Sequence, residues 1–218
     1  MSIQNQEMWP VACQPRGEKI GILGGTFNPP HVGHLFLADE AYRQFSLDKV
    51  LLLPVGLPPH KLTDPVLDRE MRRQMGMLMA EERPYLELCT MELERDGYTY
   101  TIDTLRQLLK ILPETVELYY IIGTDTLFEL VTWREFEKVF PLTTFICVPR
   151  PGDDLKKVEA CIERYKEAYG ARVLLADCLA PDISSTAIRE LIAAGGSAKG
   201  LVTQRVYEFM ENNHAFRE

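Results

Sequence analysis

Short, almost unbroken apolar runs recur along this chain, and segments with an apolar residue every three or four positions separate them. Such runs are typical of strands covered on both faces, because an exposed face would alternate with polar residues. The intervening segments predict amphipathic helices, and the alternating order favours a doubly wound α/β domain with a mostly parallel sheet. The predicted strands are 19–23 (KIGIL), 49–55 (KVLLLPV), 116–122 (VELYYII), 143–148 (TTFICV) and 172–176 (RVLLA), with 85–89 as a weaker candidate.

Helical periodicity is clearest over 35–45, 71–79, 105–112 and 153–169. Met71, Met75, Leu78 and Met79 of the second segment form an apolar stripe that predicts core packing, and the alternating charges of the last segment predict a solvated face. Without a repeat or a low-complexity linker, residues 19–218 are predicted to form a single Rossmann-like domain. Residues 1–18 are predicted to be an N-terminal arm whose function the sequence does not indicate.

Composition narrows the possible partners and the compartment. The formal net charge of −8, from 24 basic and 32 acidic residues, argues against nucleic acid but allows a small anionic ligand. No apolar run approaches the roughly 20 residues that span a bilayer, and the first residues lack the features of a signal peptide. The five cysteines are scattered without a C-x-x-C pair, which favours reduced, mostly buried thiols in a cytoplasmic protein.

The first motif follows the first predicted strand and reads GGTFNPPHVGH from Gly24. Gly24 and Gly25 permit a sharp turn and a close approach of the backbone to a ligand. A helix that begins near Gly33 directs its free N–H groups and positive dipole end at the strand tips, which favours an anion. His31 and His34 can donate hydrogen bonds to phosphate oxygens, or alternatively they only cap and pack this turn. The motif is neither a dinucleotide fingerprint nor a P-loop.

The second motif reads ISSTAIR and ends at Arg189, before a short apolar segment that stops at Gly195. Serine at the start and glycine at the end predict a short helix. A cation such as Arg189 near a helix N-terminus opposes the macrodipole, at a cost of roughly 0.3 kcal/mol or more. A bound anion would reverse that cost, because hydroxyls, N–H groups and the guanidinium would all bind it. The alternative is a capping Ser184 and an exposed arginine.

Together the two motifs resemble the signatures of the H-x-G-H nucleotidyltransferase superfamily. Within that superfamily the chain is similar to the bacterial nicotinate-nucleotide adenylyltransferases, from about Lys19 to about Phe216. The segments that carry this resemblance are 31–34 (HVGH), 184–189 (SSTAIR), 58–61 (PPHK), 98–105 (YTYTIDTL) and 121–125 (IIGTD) with Trp133.

The resemblance implies in-line attack by the phosphate of nicotinate mononucleotide on the α-phosphorus of ATP, with nicotinate adenine dinucleotide and pyrophosphate as products. It assigns catalysis to His34 at the α-phosphate, to His31 at the charge that develops in the transition state, and to Arg189. Mg²⁺ is expected on the ATP phosphates and no protein metal site is expected. The implied ATP-binding residues are Gly24, Gly25, Thr26, Phe27, His34, Lys61, Ser184, Ser185, Thr186 and Arg189, and the implied substrate-binding residues are Tyr100, Thr101, Asp125 and Trp133.

Asp125, Trp133 and Lys61 each have an alternative role that involves no ligand. The resemblance places the backbone of 98–101 at the nicotinate carboxylate, Asp125 near the ribose and Trp133 beside the pyridine ring. Alternatively, Asp125 caps the following helix and Trp133 packs in the core or an interface. In the same way, Lys61 is either a phosphate ligand or only a surface charge.

The sequence departs from the family pattern at two positions. Asn28 stands where the family usually has Asp, so an acceptor oxygen is kept but the charge is lost. Arg134 follows Trp133 where some members carry an aromatic residue, so the sequence does not determine what forms that wall of the pyridine pocket.

Rival functions also stay open at this point. A sibling enzyme would use nicotinamide mononucleotide or phosphopantetheine as acceptor, or would transfer a cytidylyl group. A nucleotide-binding regulator without activity is the rival from another class. Residues 58–61 and 98–101 favour the pyridine nucleotide, and the presence of His31, His34 and Arg189 favours an enzyme. Oligomeric state is not indicated.

Overall fold

The computed structural model describes residues 19–57 and 67–217. Within them, six strands form one parallel sheet in the order β3-β2-β1-β4-β5-β6, which confirms the doubly wound α/β fold. The order reverses between β1 and β4, where ligands bind in open sheets of this kind. The strands are β1 Lys19–Gly25, β2 Lys49–Pro54, β3 Leu86–Leu88, β4 Glu117–Gly123, β5 Thr144–Val148 and β6 Val173–Leu175.

Helices cover both faces of the sheet, so alternate residues of each strand enter two separate apolar clusters. Tyr120 and Phe145 face one cluster, whereas their neighbours Ile121 and Ile146 face the other. This two-sided burial explains why the strands are apolar without alternation. The helices are α1 Val32–Phe45, α2 Arg69–Ala80, α3 Thr101–Ile111, α4 Thr124–Glu129, α5 Phe136–Val139, α6 Leu155–Tyr169, α7 Ser185–Ala193 and α8 Gln204–Asn212.

Local chemistry sets the ends of these helices. The carboxylate of Asp68 accepts a hydrogen bond from Met71 N (2.7 Å) and caps α2, and Asp154 caps α6 in the same way. Gly170 ends α6 in the left-handed region, at φ 64°. Each side-chain cap stabilises its helix by about 1 kcal/mol. The four helical segments predicted from the sequence are present as α1, α2, α3 and α6, and side-chain caps begin α2 and α6.

Side-chain burial confirms two further predictions. Met75 and Met79 of α2 are fully buried in the core. In α6 the buried side chains are confined to one face, at Val158, Cys161 and Tyr165. No helix was predicted beyond residue 194, yet α8 packs on α2 and buries Val206 and Met210.

The cysteines of the described residues are free. Cys89, Cys147 and Cys161 are buried and Cys178 is half-buried. Burial raises the pKa of Cys89 and of Cys147 to about 12, which keeps both as unreactive thiols at neutral pH.

Three observations complete the fold. No helix formed by residues 19–57 and 67–217 has the length and apolarity to cross a membrane. The predicted N-terminal arm, residues 1–18, lies outside the described residues. The same holds for residues 58–61 and therefore for Lys61.

Candidate active site

The carboxyl ends of β1, β4 and β5 meet the first turns of α1 and α7 at one edge of the sheet. A cavity of about 280 Å³ lies there, and residues from both sequence motifs line it. No carboxylate of the described residues lines it: their polar side chains there are those of Thr26, Asn28, His31, His34, Arg150, Ser184, Ser185, Thr186 and Arg189. Imidazoles, hydroxyls and guanidinium groups make this cavity suited to an anion such as a phosphate chain.

Gly24 and Gly25 end strand β1 rather than forming the predicted turn, and the chain turns after them, at 26–30, where Gly25 borders this cavity. A Cβ atom on Gly24 would collide with the hydroxyl of Tyr120, so only glycine fits beneath that side chain. Phe27 and Asn28 are buried at the turn, and Phe27 occupies the left-handed region at φ 49°. The Asn28 side chain accepts a hydrogen bond from Leu67 N (3.2 Å), which the family's Asp could accept equally, so this contact does not explain the departure.

A buried arginine that was not predicted from the sequence donates hydrogen bonds to the backbone carbonyls of this turn. Arg72 of α2 is 2% exposed and donates to the carbonyls of Thr26 (3.2 Å), Val55 (2.6 Å) and Gly56 (3.2 Å). It also donates to the carbonyl of Leu67 (3.3 Å). Burial lowers the pKa of Arg72, because the charged form has lost its hydration. The guanidinium therefore fixes the ends of β1 and β2 relative to α2.

His31 and His34 lie side by side at the start of α1, with ring centroids 3.7 Å apart. His31 is the N-cap residue and is 6% exposed, and its Nδ1 has no hydrogen-bond partner among the described residues. His34 Nδ1 accepts from His31 N (3.1 Å), which caps the helix. The capping alternative therefore describes one nitrogen of His34 and leaves its other nitrogen available.

The same hydrogen bond fixes the tautomer of His34. A backbone N–H can only donate, so Nδ1 is unprotonated and the ring proton sits on Nε2. Burial lowers the pKa of His31 to about 4, with a smaller effect from the nearby charge of Arg150. Burial, then His31 and Arg150, hold the pKa of His34 well below its usual range. Both imidazoles are therefore neutral at pH 7, and His34 presents an Nε2–H donor.

The start of α7 is bonded directly to the first motif. Ser184 caps the helix by accepting from Ala187 N (3.1 Å), as the sequence predicts. The Ser185 hydroxyl donates to the carbonyl of Pro29 (2.8 Å). Arg189 donates to the carbonyl of Asn28 (3.0 Å) and to the Thr186 hydroxyl (3.2 Å). The structure therefore brings the two motifs together on one cavity.

Arg150 is the second residue that sequence reasoning missed. It follows β5 in an exposed loop and lines the 280 Å³ cavity. Its guanidinium pairs with the carboxylate of Asp125 (3.0 Å). The signal was available, because an arginine two residues after a predicted parallel strand must lie near the ends of its neighbours.

A second cavity of about 400 Å³ opens beside the first. The two share Gly25, Thr26, His34, Gly123 and Arg150 in their walls. The side chains that distinguish the second cavity are aromatic, acidic and basic: Glu92, Tyr100, Tyr120, Glu129, Trp133 and Arg134. An aromatic, charged molecule fits such walls beside a phosphate chain.

The predicted acceptor residues are placed differently from one another. Tyr100, Thr101 and Trp133 line the second cavity. Trp133 also packs edge-on against Tyr120 (5.7 Å), so its core role and its cavity role coexist. Asp125 lines neither cavity: it is an exposed residue in the first turn of α4, whose N-cap is Gly123, and it reaches the site through Arg150.

Comparison with known proteins gives a consistent result. The model of the cytidylyltransferase-like family matches residues 22–191. A probable nicotinate-nucleotide adenylyltransferase of Thermoanaerobacter sp. is 35% identical over 200 residues, covering 92% of this chain and 95% of the relative. One from Bacillus cytotoxicus is 40% identical over 196 residues, covering 90% and 97%. A Plasmodium falciparum nicotinic acid mononucleotide adenylyltransferase complexed with NaAD has a TM-score of 0.73 at 16% identity, covering 91% and 97%, which shows likeness of fold.

Proposed function

The chain belongs to the cytidylyltransferase-like family and, within it, to the nicotinate-nucleotide adenylyltransferases, and from this we propose how its site works. The enzyme transfers the adenylyl group of ATP to nicotinate mononucleotide, a step of NAD biosynthesis, and releases pyrophosphate. One observation carries the proposal for the site: His31, His34 and Arg189 line one cavity, and that cavity opens onto a second one lined by aromatic residues.

The chemistry is a direct displacement. A phosphate oxygen of nicotinate mononucleotide forms the new bond to the α-phosphorus of ATP, and the bond between that phosphorus and the bridging oxygen to the β-phosphorus breaks. The bridging oxygen leaves with pyrophosphate. An enzyme nucleophile is not required, and the Ser185 hydroxyl is already directed at the carbonyl of Pro29. Such a transfer depends on positioning and on charge neutralisation.

We assign the α-phosphate to His34, because its Nε2–H is the donor that the cap hydrogen bond leaves available. His31, neutral and buried beside it, is assigned to the charge that develops in the transition state. A neutral imidazole carries one N–H donor, so each ring can donate one hydrogen bond to a phosphate oxygen at physiological pH.

The triphosphate tail is assigned to the side chains of Arg189, Thr26 and Thr186 and to the backbone N–H of Ser185, because the Ser185 hydroxyl already donates to the carbonyl of Pro29. These side chains line the same cavity, and the first turn of α7 directs its positive dipole end towards it. Lys61 is kept in this assignment from the family resemblance.

Mg²⁺ enters this scheme as part of the substrate. Among the described residues there is no group of three or more His, Cys, Asp or Glu side chains able to hold a metal ion. The walls of the triphosphate cavity supply donors rather than carboxylates, so phosphate oxygens would be the ligands of the ion. The ion would reduce the negative charge on the phosphates.

The second cavity is assigned to nicotinate mononucleotide. Trp133 and Tyr100 provide aromatic surface for a pyridine ring, and the wall shared with the first cavity brings the acceptor phosphate towards His34. Asp125 would reach the ribose from the rim, which requires Arg150 to release or share it.

The free thiols of Cys89 and Cys147 and the use of ATP support a cytoplasmic location.

A substrate panel tests the reaction. Pyrophosphate release is measured with ATP or CTP as donor and with nicotinate mononucleotide, nicotinamide mononucleotide or phosphopantetheine as acceptor. We expect the highest kcat/KM with ATP and nicotinate mononucleotide. A higher value for another pair would identify a sibling enzyme, and no release with any pair would favour a nucleotide-binding regulator.

A further inference from the structure

Arg134 borders the second cavity beside its aromatic wall. The residue follows Trp133, and its guanidinium carbon lies 4.5 Å from the centre of the Tyr100 ring. Trp133, Tyr100 and Arg134 all line the cavity. The cation is therefore held by ring contact at the place where an acceptor's aromatic group would lie.

The charge of Arg134 is not neutralised by its neighbour in sequence. Glu135 adopts the left-handed region, at φ 52°, where the chain enters α5. Its carboxylate accepts from Arg106 (3.2 Å) and Lys138 (2.8 Å). Within residues 19–57 and 67–217, no ion pair holds Arg134 to a carboxylate.

The remaining charges of the cavity oppose an anionic acceptor. Glu92 is buried there, with one oxygen accepting from the Thr104 hydroxyl (2.7 Å), and Glu129 borders the cavity as well. Two carboxylates would repel a third in this restricted volume. Arg150, the other guanidinium on these walls, is paired with Asp125 at the edge shared with the triphosphate cavity. Among the residues that the structure describes, Arg134 is therefore the cation placed to compensate a carboxylate beside the aromatic wall.

We propose that Arg134 is a specificity-determining residue that binds the carboxylate of nicotinate mononucleotide and so disfavours the neutral amide of nicotinamide mononucleotide. This inference rests on the proposed function of the second cavity. The N-terminus of α3, which begins at Thr101 without a side-chain cap, lies in the same wall and adds its positive dipole end. A planar guanidinium matches a carboxylate with two parallel hydrogen bonds, which a carboxamide cannot accept equally.

The test compares both mononucleotides in a pyrophosphate-release assay with saturating ATP. Arg134→Gln should lower kcat/KM for nicotinate mononucleotide by roughly ten-fold, the loss of one charge-assisted contact at an exposed side chain, and change the nicotinamide value by less than about two-fold. Arg134→Lys should fall between wild type and Gln, because it keeps the charge but loses the bidentate geometry.

Arg164→Gln is the matched control. Arg164 is also exposed and also lies over a tyrosine ring, with its guanidinium carbon 5.1 Å from the centre of the Tyr165 ring, but it borders neither cavity. This variant should leave kcat/KM unchanged for both mononucleotides. An equal fall for both mononucleotides in Arg134→Gln would indicate a role in pocket shape alone and would overturn the proposal, and so would no fall for either.

Failure of the proposed function is distinguishable from failure of this inference. The proposed function fails if the wild-type protein releases no pyrophosphate with either mononucleotide. Calorimetric titration of nicotinate mononucleotide into wild type and Arg134→Gln then still decides the role of the arginine. Binding that weakens in the variant supports it, whereas equal affinity or no binding to either protein contradicts it.

Discussion

His34 has two ring nitrogens with different tasks, and two amide substitutions can separate them. Nδ1 accepts the hydrogen bond from His31 N that caps α1, whereas Nε2–H is the proposed donor to the α-phosphate. The side-chain amide of asparagine reaches about as far as Nδ1, and that of glutamine about as far as Nε2. His34→Asn should therefore keep the cap and lose the donor, and His34→Gln should do the reverse.

The structure sets the expected sizes of both effects. Loss of one transition-state donor lowers kcat by about 10²–10³-fold, or roughly 3–4 kcal/mol. Loss of one helix cap lowers the free energy of unfolding by about 1 kcal/mol. Both variants also lose the ring contacts of His34 with Phe27 (4.8 Å) and His31 (3.7 Å), so they are compared with each other and with His34→Ala. The alanine variant should keep the fold and show both losses.

The assays are single-turnover adenylyl transfer and urea-induced unfolding of the ligand-free protein. The rate of adenylyl transfer by His34→Asn should be as low as that of His34→Ala, but its free energy of unfolding should be higher. His34→Gln should transfer the adenylyl group faster than both. Near-normal turnover of His34→Asn or His34→Ala would remove Nε2 from the mechanism. Equal stability of Asn and Ala variants would show that the Nδ1 hydrogen bond does not stabilise the helix.

Three further predictions address other charges. Arg189→Ala should lower kcat and raise the Kd for ATP, measured by calorimetry, and an unchanged Kd would contradict its assignment to the triphosphate tail. Arg72→Met should lower the free energy of unfolding by roughly 3–5 kcal/mol, because it removes the buried donor from the carbonyls of Thr26, Val55, Gly56 and Leu67; a loss below about 1 kcal/mol would refute this. His31 binds its proton less readily in the folded state, with a pKa of about 4 against 6.5. The neutral ring therefore makes its full contribution to the free energy of unfolding above pH 6.5, and that contribution is lost as the pH falls towards 4. Between these values the wild type should lose roughly 3 kcal/mol more than His31→Asn in urea unfolding, and parallel pH profiles would refute the shift.

Much of the fold follows from patterns of local sequence. The runs that became β1, β2, β4 and β5 are apolar on both faces, and some helix ends have clear capping chemistry: α2 begins at Asp68 and α6 ends at Gly170. The helix α8 was missed although it carries the same local signals: Thr203 caps it, and Val206 and Met210, four residues apart, are buried along one face. It packs on α2.

The residues of the candidate site also divide into those that a local sequence pattern indicates and those that only the folded structure reveals. The glycine turn, the histidine pair and Arg189 were found because each breaks a local rule of composition or helix electrostatics. Arg72 breaks no such rule, since an arginine in an amphipathic helix is ordinary until the carbonyls of two strand ends surround it. Arg150 likewise gains meaning only because β5 lies beside β4 in the sheet.

The sequence alone determined the alternation of strands and helices, the family, and the two motifs that line the first cavity. It did so because hydrophobic periodicity, turn residues and caps act over a few neighbouring positions. Only the tertiary structure decided that Arg189 donates to the carbonyl of Asn28, that one nitrogen of His34 is used in capping, and that burial keeps both imidazoles neutral. These properties depend on residues up to 161 positions apart and on the exclusion of water, which no local pattern records.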